Sequence, residues 1–323
     1  MNIARGFILV LAVLVAGAIA LLPAGCGDGR ATVPSKGRPK VVATVGMIAD
    51  VAREIAGDRA SVTGLMGEGV DPHLYKASPG DIRLLDEADL VLYNGLLLEG
   101  RMVDVLVKMA ARRPTVAVTE RLDAGQLREP EEMKGHADPH VWFDVSLWRR
   151  AAERIRDALI ELDPSGREHY RVRAEAYMKA LDELHEWCGR ELARVPRERR
   201  VLITAHDAFG YFGRAYDVEV RAIQGVSTDS EASVRAINEL VRIIVERRIG
   251  AVFVESSVPP KTVEALVEGC RARGHMVRVG GELFSDALGP AGTPEGTYIG
   301  MVRHNVNTIV NALLPEGDGR KGG

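Results

Sequence analysis

The chain has 323 residues, 46% of them hydrophobic and 27% charged, which is enough for one or two globular domains with substantial cores and too apolar for a disordered polymer. Its 42 Lys and Arg residues are interspersed with 45 Asp and Glu residues for a formal charge of −3, so no basic field builds up to hold a nucleic-acid backbone. Three cysteines without a Cys-x-x-Cys pair exclude a disulfide-stapled fold and a structural zinc knuckle.

The first segment, Gly6 to Leu22, is uninterrupted apolar or small, follows Arg5 and ends at Pro23-Ala24-Gly25-Cys26. This pattern predicts an export signal over residues 1–26. About 17 apolar residues lie at the lower limit for spanning a bilayer, so a retained anchor is the alternative. Small residues followed by cysteine resemble the bacterial lipobox, which implies lipid attachment at Cys26, although Pro23 stands where that pattern prefers Leu. Each reading places the body outside the cytoplasm, in the periplasm or at the cell surface. Residues 27–40 are polar and rich in Gly and Pro, the composition of a tether.

Beyond the tether, short β-branched runs alternate with amphipathic stretches: 41–45, 60–66, 89–95 and 114–120, then 201–206, 219–224, 251–257 and 276–283. Such alternation predicts an α/β protein with parallel sheets flanked by helices, here in two lobes at 41–163 and 197–315, followed by a tail at 316–323. Between the lobes, 164–196 is highly charged and carries an apolar stripe at helical spacing, which predicts one long rigid linker helix. About 28 residues at helical rise would reach roughly 42 Å, enough to join both lobes as a strut. Cys188 and Cys270 continue apolar helical faces and are predicted to be buried thiols. Thr228 and Glu231 fit a capping box ahead of the helical series Val234, Ile237, Val241 and Ile244.

The most informative pattern is doubled: Asp71-Pro72-His73 and Asp138-Pro139-His140. Proline stiffens each loop and presents the following histidine, as a metal ligand requires. Asp71 and Asp138 each could accept a loop amide or orient the imidazole. His206 ends the run VLITAH and so leaves its sheet at a carboxyl end, where parallel sheets accept ligands. Asp286 occupies a comparable position after the last strand-like run. Together, His73, His140, His206 and Asp286 make a three-imidazole, one-carboxylate set of the kind that binds a first-row divalent cation between lobes. Glu255, ending AVFVESS, would be costly to bury unpaired and is expected to support a ligand histidine or a loop. His136 lies four residues before His140 but beside Gly135 and an acidic cluster, so its role is left open; His169, His185, His275 and His304 are read as surface or packing residues.

With these residues in hand, the chain resembles the zinc- and manganese-type solute-binding lipoproteins of bacterial ABC importers, the cluster A-I group whose lobes are joined by one rigid helix. The motifs that carry the likeness are DPHLY, DPHVWFD, TAHDAFGYF, QGVSTDSEAS, VFVESSVP and GGELFSDALGPAGTPEGTYIGMVRHN. The resemblance implies a cation held by His73, His140, His206 and Asp286, an ABC permease as partner, and membrane attachment through lipidated Cys26. The long His-rich loop of some zinc-only members is absent. Three neutral imidazoles put Zn(II) ahead of Mn(II). The alternatives are a secreted mononuclear zinc hydrolase, which would need an open coordination position for water, and a surface adhesin; neither nucleic acid nor a covalent reaction is expected.

Overall fold

The computed structural model describes residues 37–314; the signal segment with Cys26, most of the tether and the tail lie outside the described residues. The first lobe contains β1 (Lys40–Ala43), α1 (Gly46–Ala56), β2 (Ser61–Gly64), α2 (Pro79–Glu87), β3 (Leu90–Tyr93), α3 (Val103–Ala110) and β4 (Thr115–Ala117). Their strands form one parallel sheet in the order β2-β1-β3-β4. β1 and β3 are short apolar runs sealed by helices, whereas β2 alternates at the edge. Because the chain moves from one side of β1 to the other, the loops after β1 and β3 diverge at their carboxyl ends and open a crevice there.

Two antiparallel helices follow, α4 (Val145–Leu162) and α5 (Arg167–Ala193). Asp144 starts α4 by accepting the Ser146 and Leu147 amides. α5 has 27 residues, about 40 Å at helical rise. It buries Tyr170, Ala174, Tyr177, Leu181, Leu184, Cys188 and Leu192, a stripe at three- and four-residue steps, against α1 and α4. Cys188 and Cys270 are both buried free thiols.

The second lobe comprises β5 (Val201–His206), α6 (Gly210–Tyr216), β6 (Glu219–Gln224), α7 (Val234–Arg247), β7 (Ala251–Glu255), α8 (Lys261–Ala272), β8 (Arg278–Leu283) and α9 (Tyr298–Leu313), the last packing on both β8 and α5. Its strands form two parallel pairs, β5–β6 and β7–β8, and not one continuous ladder. Although β7 lies beside β5, the amides of Ala205 and His206 donate to the Glu255 carboxylate, which takes the place of a ladder acceptor at that end. The predicted Thr228–Glu231 capping box does not form. α7 is capped by Ser233, whose hydroxyl accepts the Ala236 amide at 3.1 Å, and the Thr228 hydroxyl is committed to a residue of the other lobe.

Alternate residues of β5 face two cores, as a strand's two-residue period requires. Val201, Ile203 and Ala205 pack with α7 and α8 in the smaller core, while Leu202 joins the larger one. That larger core runs without a break from β1 and β3 through α1, α4, α5 and α9 to Phe253 and Leu283. The lobes therefore share apolar interior. Wide hinge opening would expose it to water at roughly 25 cal/mol per Å².

A polar link reinforces this junction. Asp50 of α1 is 8% exposed and accepts the amide of Tyr298, the first residue of α9, at 2.9 Å. Burial raises its pKa to about 6, with the Glu54 charge adding to the shift, despite the opposing effect of the Tyr298 amide. In the unfolded chain an aspartate ionises near pH 4, so the folded state binds the extra proton between these values. The stability contributed by the protonated form is complete below about pH 4 and lost as pH rises through about 6. We predict that Asp50→Asn, which keeps an acceptor but cannot ionise, gains about 1 kcal/mol relative to wild type between about pH 5 and about pH 7.5. Denaturant unfolding at the two pH values measures this; an unchanged difference would show that Asp50 titrates normally.

Candidate metal centre

The two Asp-Pro-His loops close locally in the same manner. Asp71 Oδ1 accepts the amide of His73 at 2.9 Å, and Asp138 Oδ1 accepts the amide of His140 at 2.9 Å. Beyond this the aspartates diverge. Asp138 Oδ1 also meets His140 Nδ1 at 2.8 Å, and its Oδ2 pairs with Arg128 at 2.5 Å. Asp71 Oδ2 instead accepts the Thr228 hydroxyl at 2.5 Å. Asp138 thus orients an imidazole as well as a loop, and Asp71 holds a loop alone.

The loop after β3 supports the second of these. Asn94 Nδ2 donates to the Pro139 carbonyl at 3.0 Å, and Asn94 is itself fixed by Glu99, which accepts the Asn94 amide at 2.7 Å and the Thr44 hydroxyl at 2.6 Å. Gly95 has φ +86°, and a Cβ there would sit 3.0 Å from Thr119 Oγ1, so the tight return of the chain requires glycine. Trp142 then ties the loop to the other lobe: its Nε1 donates to the Ser285 carbonyl at 3.1 Å, and its ring meets His140 edge-on at 5.2 Å.

From the second lobe, His206 ends β5 with its Nδ1 2.5 Å from Glu255 Oε2. Because Nδ1 of His140 and Nδ1 of His206 each face a carboxylate, the proton is held there and Nε2 is left as the electron-pair donor. Asp286 follows Ser285 in the loop after β8. The structure brings the four residues His73, His140, His206 and Asp286 together, with one donor atom from each within 4.8 Å of the others. Their exposures are 5%, 0%, 0% and 1%.

Individual separations resemble the edges of a coordination polyhedron. His73 Nε2 lies 3.3 Å from His140 Nε2, His140 Nε2 lies 3.4 Å from Asp286 Oδ1, and His206 Nε2 lies 3.2 Å from Asp286 Oδ2, with His73 Nε2 at 4.0 Å from that oxygen. Four donors about 2.0 Å from a central zinc would be about 3.3 Å apart. Neither Asp286 oxygen has a hydrogen-bond partner among the described residues, nor does His206 Nε2; the atoms approach without the alignment of a hydrogen bond. A buried carboxylate left this way is costly unless positive charge, from protonated imidazoles or from a cation, is set against it.

The electrostatics are correspondingly polarised. Burial, aided by the charges of His140 and His206, pulls the His73 pKa to about 3. Burial alone would also lower His140, but Asp138 and Asp286 outweigh it and raise its pKa to about 9. His206 is likewise raised well above the ordinary value against the effect of burial, by Glu255 and Asp286. Asp286, which burial would raise, is held well below the ordinary carboxylate range by His206 and His140.

The remaining histidines lie elsewhere. His136 is exposed, while ring nitrogens of His169, His185, His275 and His304 contact Ala56 O, Tyr216 OH, Ile249 O and Glu282 O respectively. Arg128, Trp142, Asn94, Glu99 and Thr228 were not foreseen as supports. Trp142 stands in DPHVW, and its indole N–H in an apolar context was the available signal.

Known proteins similar to this chain carry metal-binding names. The family model described as ZnuA, zinc-uptake complex component A, periplasmic, matches residues 41–312. The zinc-binding protein TroA of Treponema pallidum is 50% identical over 285 residues, 88% of this chain and 92% of that protein. The manganese-binding lipoprotein MntA of Bacillus subtilis is 47% identical, covering 90% and 94%. Among solved structures, periplasmic zinc-binding TroA of Treponema pallidum superposes with a TM-score of 0.85 at 51% identity, over 86% of this chain and 100% of that one. Fe(III)-bound YtgA from Chlamydia trachomatis gives 0.77 at 27% identity, covering 85% and 98%. The chain belongs to this family, ZnuA, described as zinc-uptake complex component A.

The Glu255–His206 contact yields a direct test. Glu255→Gln keeps an acceptor for both β5 amides, but its amide nitrogen would donate to Nδ1 and leave the proton on Nε2. Cation affinity is expected to fall by about 10- to 100-fold with circular dichroism unchanged. Wild-type affinity in this variant would show that Glu255 only closes the strand end.

Proposed function

We propose that this chain is an extracytoplasmic solute-binding protein that captures one divalent cation at His73, His140, His206 and Asp286 and delivers it to the permease of an ABC importer. Zn(II) is the first choice of cargo and Mn(II) the alternative. The observation that carries this reading is the buried set of three imidazoles and an unpartnered carboxylate, drawn from both lobes at the spacing of a coordination shell. The names of the relatives, a zinc-binding protein and a manganese-binding lipoprotein, support it. In the same proposal residues 41–163 and 197–315 are the lobes, 164–196 joins them, and lipidated Cys26 anchors the chain to the membrane. Among the described residues no helix is long and apolar enough to cross a bilayer.

Neutral imidazoles and one carboxylate suit zinc, and the Irving–Williams order places zinc above manganese at such a site. Both oxygens of Asp286 face the cluster, so the carboxylate can bind through one oxygen for a tetrahedral ion or through two for a larger one. Four protein donors fill the tetrahedron and leave no position at which a zinc-bound water would be activated, so the site is built for capture and not for hydrolysis.

Protein unfolded with chelator, refolded and dialysed against Zn(II) is expected to hold one ion per chain by elemental analysis, with Mn(II) competing for the same site more weakly. The combined His206→Ala, Asp286→Ala variant is expected to hold none; full loading of that variant would refute the assignment. Protons also report on the site. With His140 raised to about 9, the cation must displace a proton at neutral pH. Affinity is therefore expected to rise between about pH 6 and about pH 8, with proton release detected by calorimetry in buffers of different ionisation enthalpy. Binding without proton release would contradict it.

A further inference from the structure

His73 differs from the other three residues of the cluster. At 5% exposure it is the least deeply sealed, and among the described residues its loop has no counterpart of the Trp142 contact that pins the His140 loop to Ser285. Besides the packing of Val70, Pro72 and Tyr75, one polar side-chain contact holds it at each end. Tyr75 donates to Asp81 Oδ2 at 2.7 Å within the same lobe, and Asp71 Oδ2 accepts the Thr228 hydroxyl of the opposite lobe at 2.5 Å. The same aspartate, through Oδ1, closes onto the His73 amide, so Thr228 is two hydrogen bonds removed from the backbone of a cluster histidine.

Thr228 stands in the segment that leaves β6. That strand pairs Gln224 with His206, and the next carbonyl, Gly225 O, accepts the Asp207 amide at 3.2 Å. One end of the segment is therefore registered to His206 and the other to the loop of His73. Two further groups of the first lobe hold it: Glu132 accepts the Val226 amide at 2.9 Å, and Arg101 pairs with Asp229 at the surface. A Cβ on Gly225 would lie 2.9 Å from Glu132 Oε1, so glycine allows this close crossing. Of these three contacts, only the one at Thr228 continues into a residue that shapes a loop bearing a cluster histidine.

We infer that Thr228 is a positioning residue, a latch that holds the Asp71-Pro72-His73 loop closed over the cation and so sets how long the ion stays. This rests on the capture reading above. Since the shared core resists a wide hinge, local release of one loop is the smaller motion by which the ion can leave. The hydroxyl bonds a carboxylate, the stronger type of hydrogen bond, and its loss acts on the loop without touching a cation ligand.

Stopped-flow transfer of Zn(II) from loaded protein to an excess of chelator tests this, with wild type, Thr228→Val, Thr228→Ser and Arg101→Ala compared. Thr228→Val keeps the shape and removes the donor; the dissociation rate is expected to rise about 10- to 100-fold, the range for one hydrogen bond to a charged group, with one ion per chain and an unchanged melting temperature of the ion-free protein. Thr228→Ser is expected to restore a rate near wild type, and Arg101→Ala, which removes an exposed ion pair, to change it less than about twofold. A wild-type rate in Thr228→Val, or an equal acceleration in Arg101→Ala, would overturn the latch. Failure of wild type to bind Zn(II) at all would instead count against the capture reading, and the two failures are separated by the loading measured at the start.

Discussion

A carboxylate without a hydrogen-bond donor, sealed among three imidazoles, is the feature on which the rest of this structure depends. Asp286 is 1% exposed and both its oxygens lack partners among the described residues. Such a group is costly in an apolar interior and becomes favourable only when positive charge is placed against it. Around it the fold arranges secondary carboxylates behind the imidazoles: Asp138 behind His140 and Glu255 behind His206. These hold the ring protons on the far nitrogens and direct the electron pairs inward. Two protonated imidazoles can balance Asp286 when no ion is bound, and in the proposed function a divalent cation would replace them.

Positioning donors from two lobes to a few tenths of an ångström requires a frame that does not flex widely. Here the frame is an apolar core common to both lobes, continued through α5 and α9, with Asp50 linking α1 to the start of α9 and Trp142 linking the His140 loop to Ser285. The polar links alone would be weak. Their value is directional, since each joins a particular loop to a particular strand end, while the core supplies the bulk of the stabilisation. At the rim of the junction, the 225–229 segment meets the first lobe through Glu132, Asp71 and Arg101.

Much of the fold was legible in the sequence because it depends on local pattern. Each of the eight β-branched runs overlaps one strand, and the stripe Tyr177, Leu181, Leu184, Cys188 lies on the buried face of α5. The four clustered residues stood out for related reasons: a proline before each loop histidine, and strand or loop ends for the other two. Contacts made at long range were not legible. Thr228 with Glu231 has the spacing of a helix cap, but the Thr228 hydroxyl is taken by Asp71, 157 residues away, and the cap falls to Ser233. At the end of β5 the amides of Ala205 and His206 are taken by the Glu255 carboxylate; nothing in the run AVFVESS distinguishes a side-chain acceptor from a ladder carbonyl. Arg128 and Glu99 are ordinary charged residues in the sequence; their roles come from Asp138 and Asn94, which neighbour them only in the fold.

The measurement that reaches the centre of this account most directly is X-ray absorption spectroscopy at the zinc edge on the loaded protein. Loaded protein is expected to show a shell of nitrogen and oxygen donors at about 2.0 Å, with the outer scattering of three imidazoles and no sulfur. A shell containing a sulfur at about 2.3 Å, or the scattering of one imidazole or none, would place the ion elsewhere and contradict it.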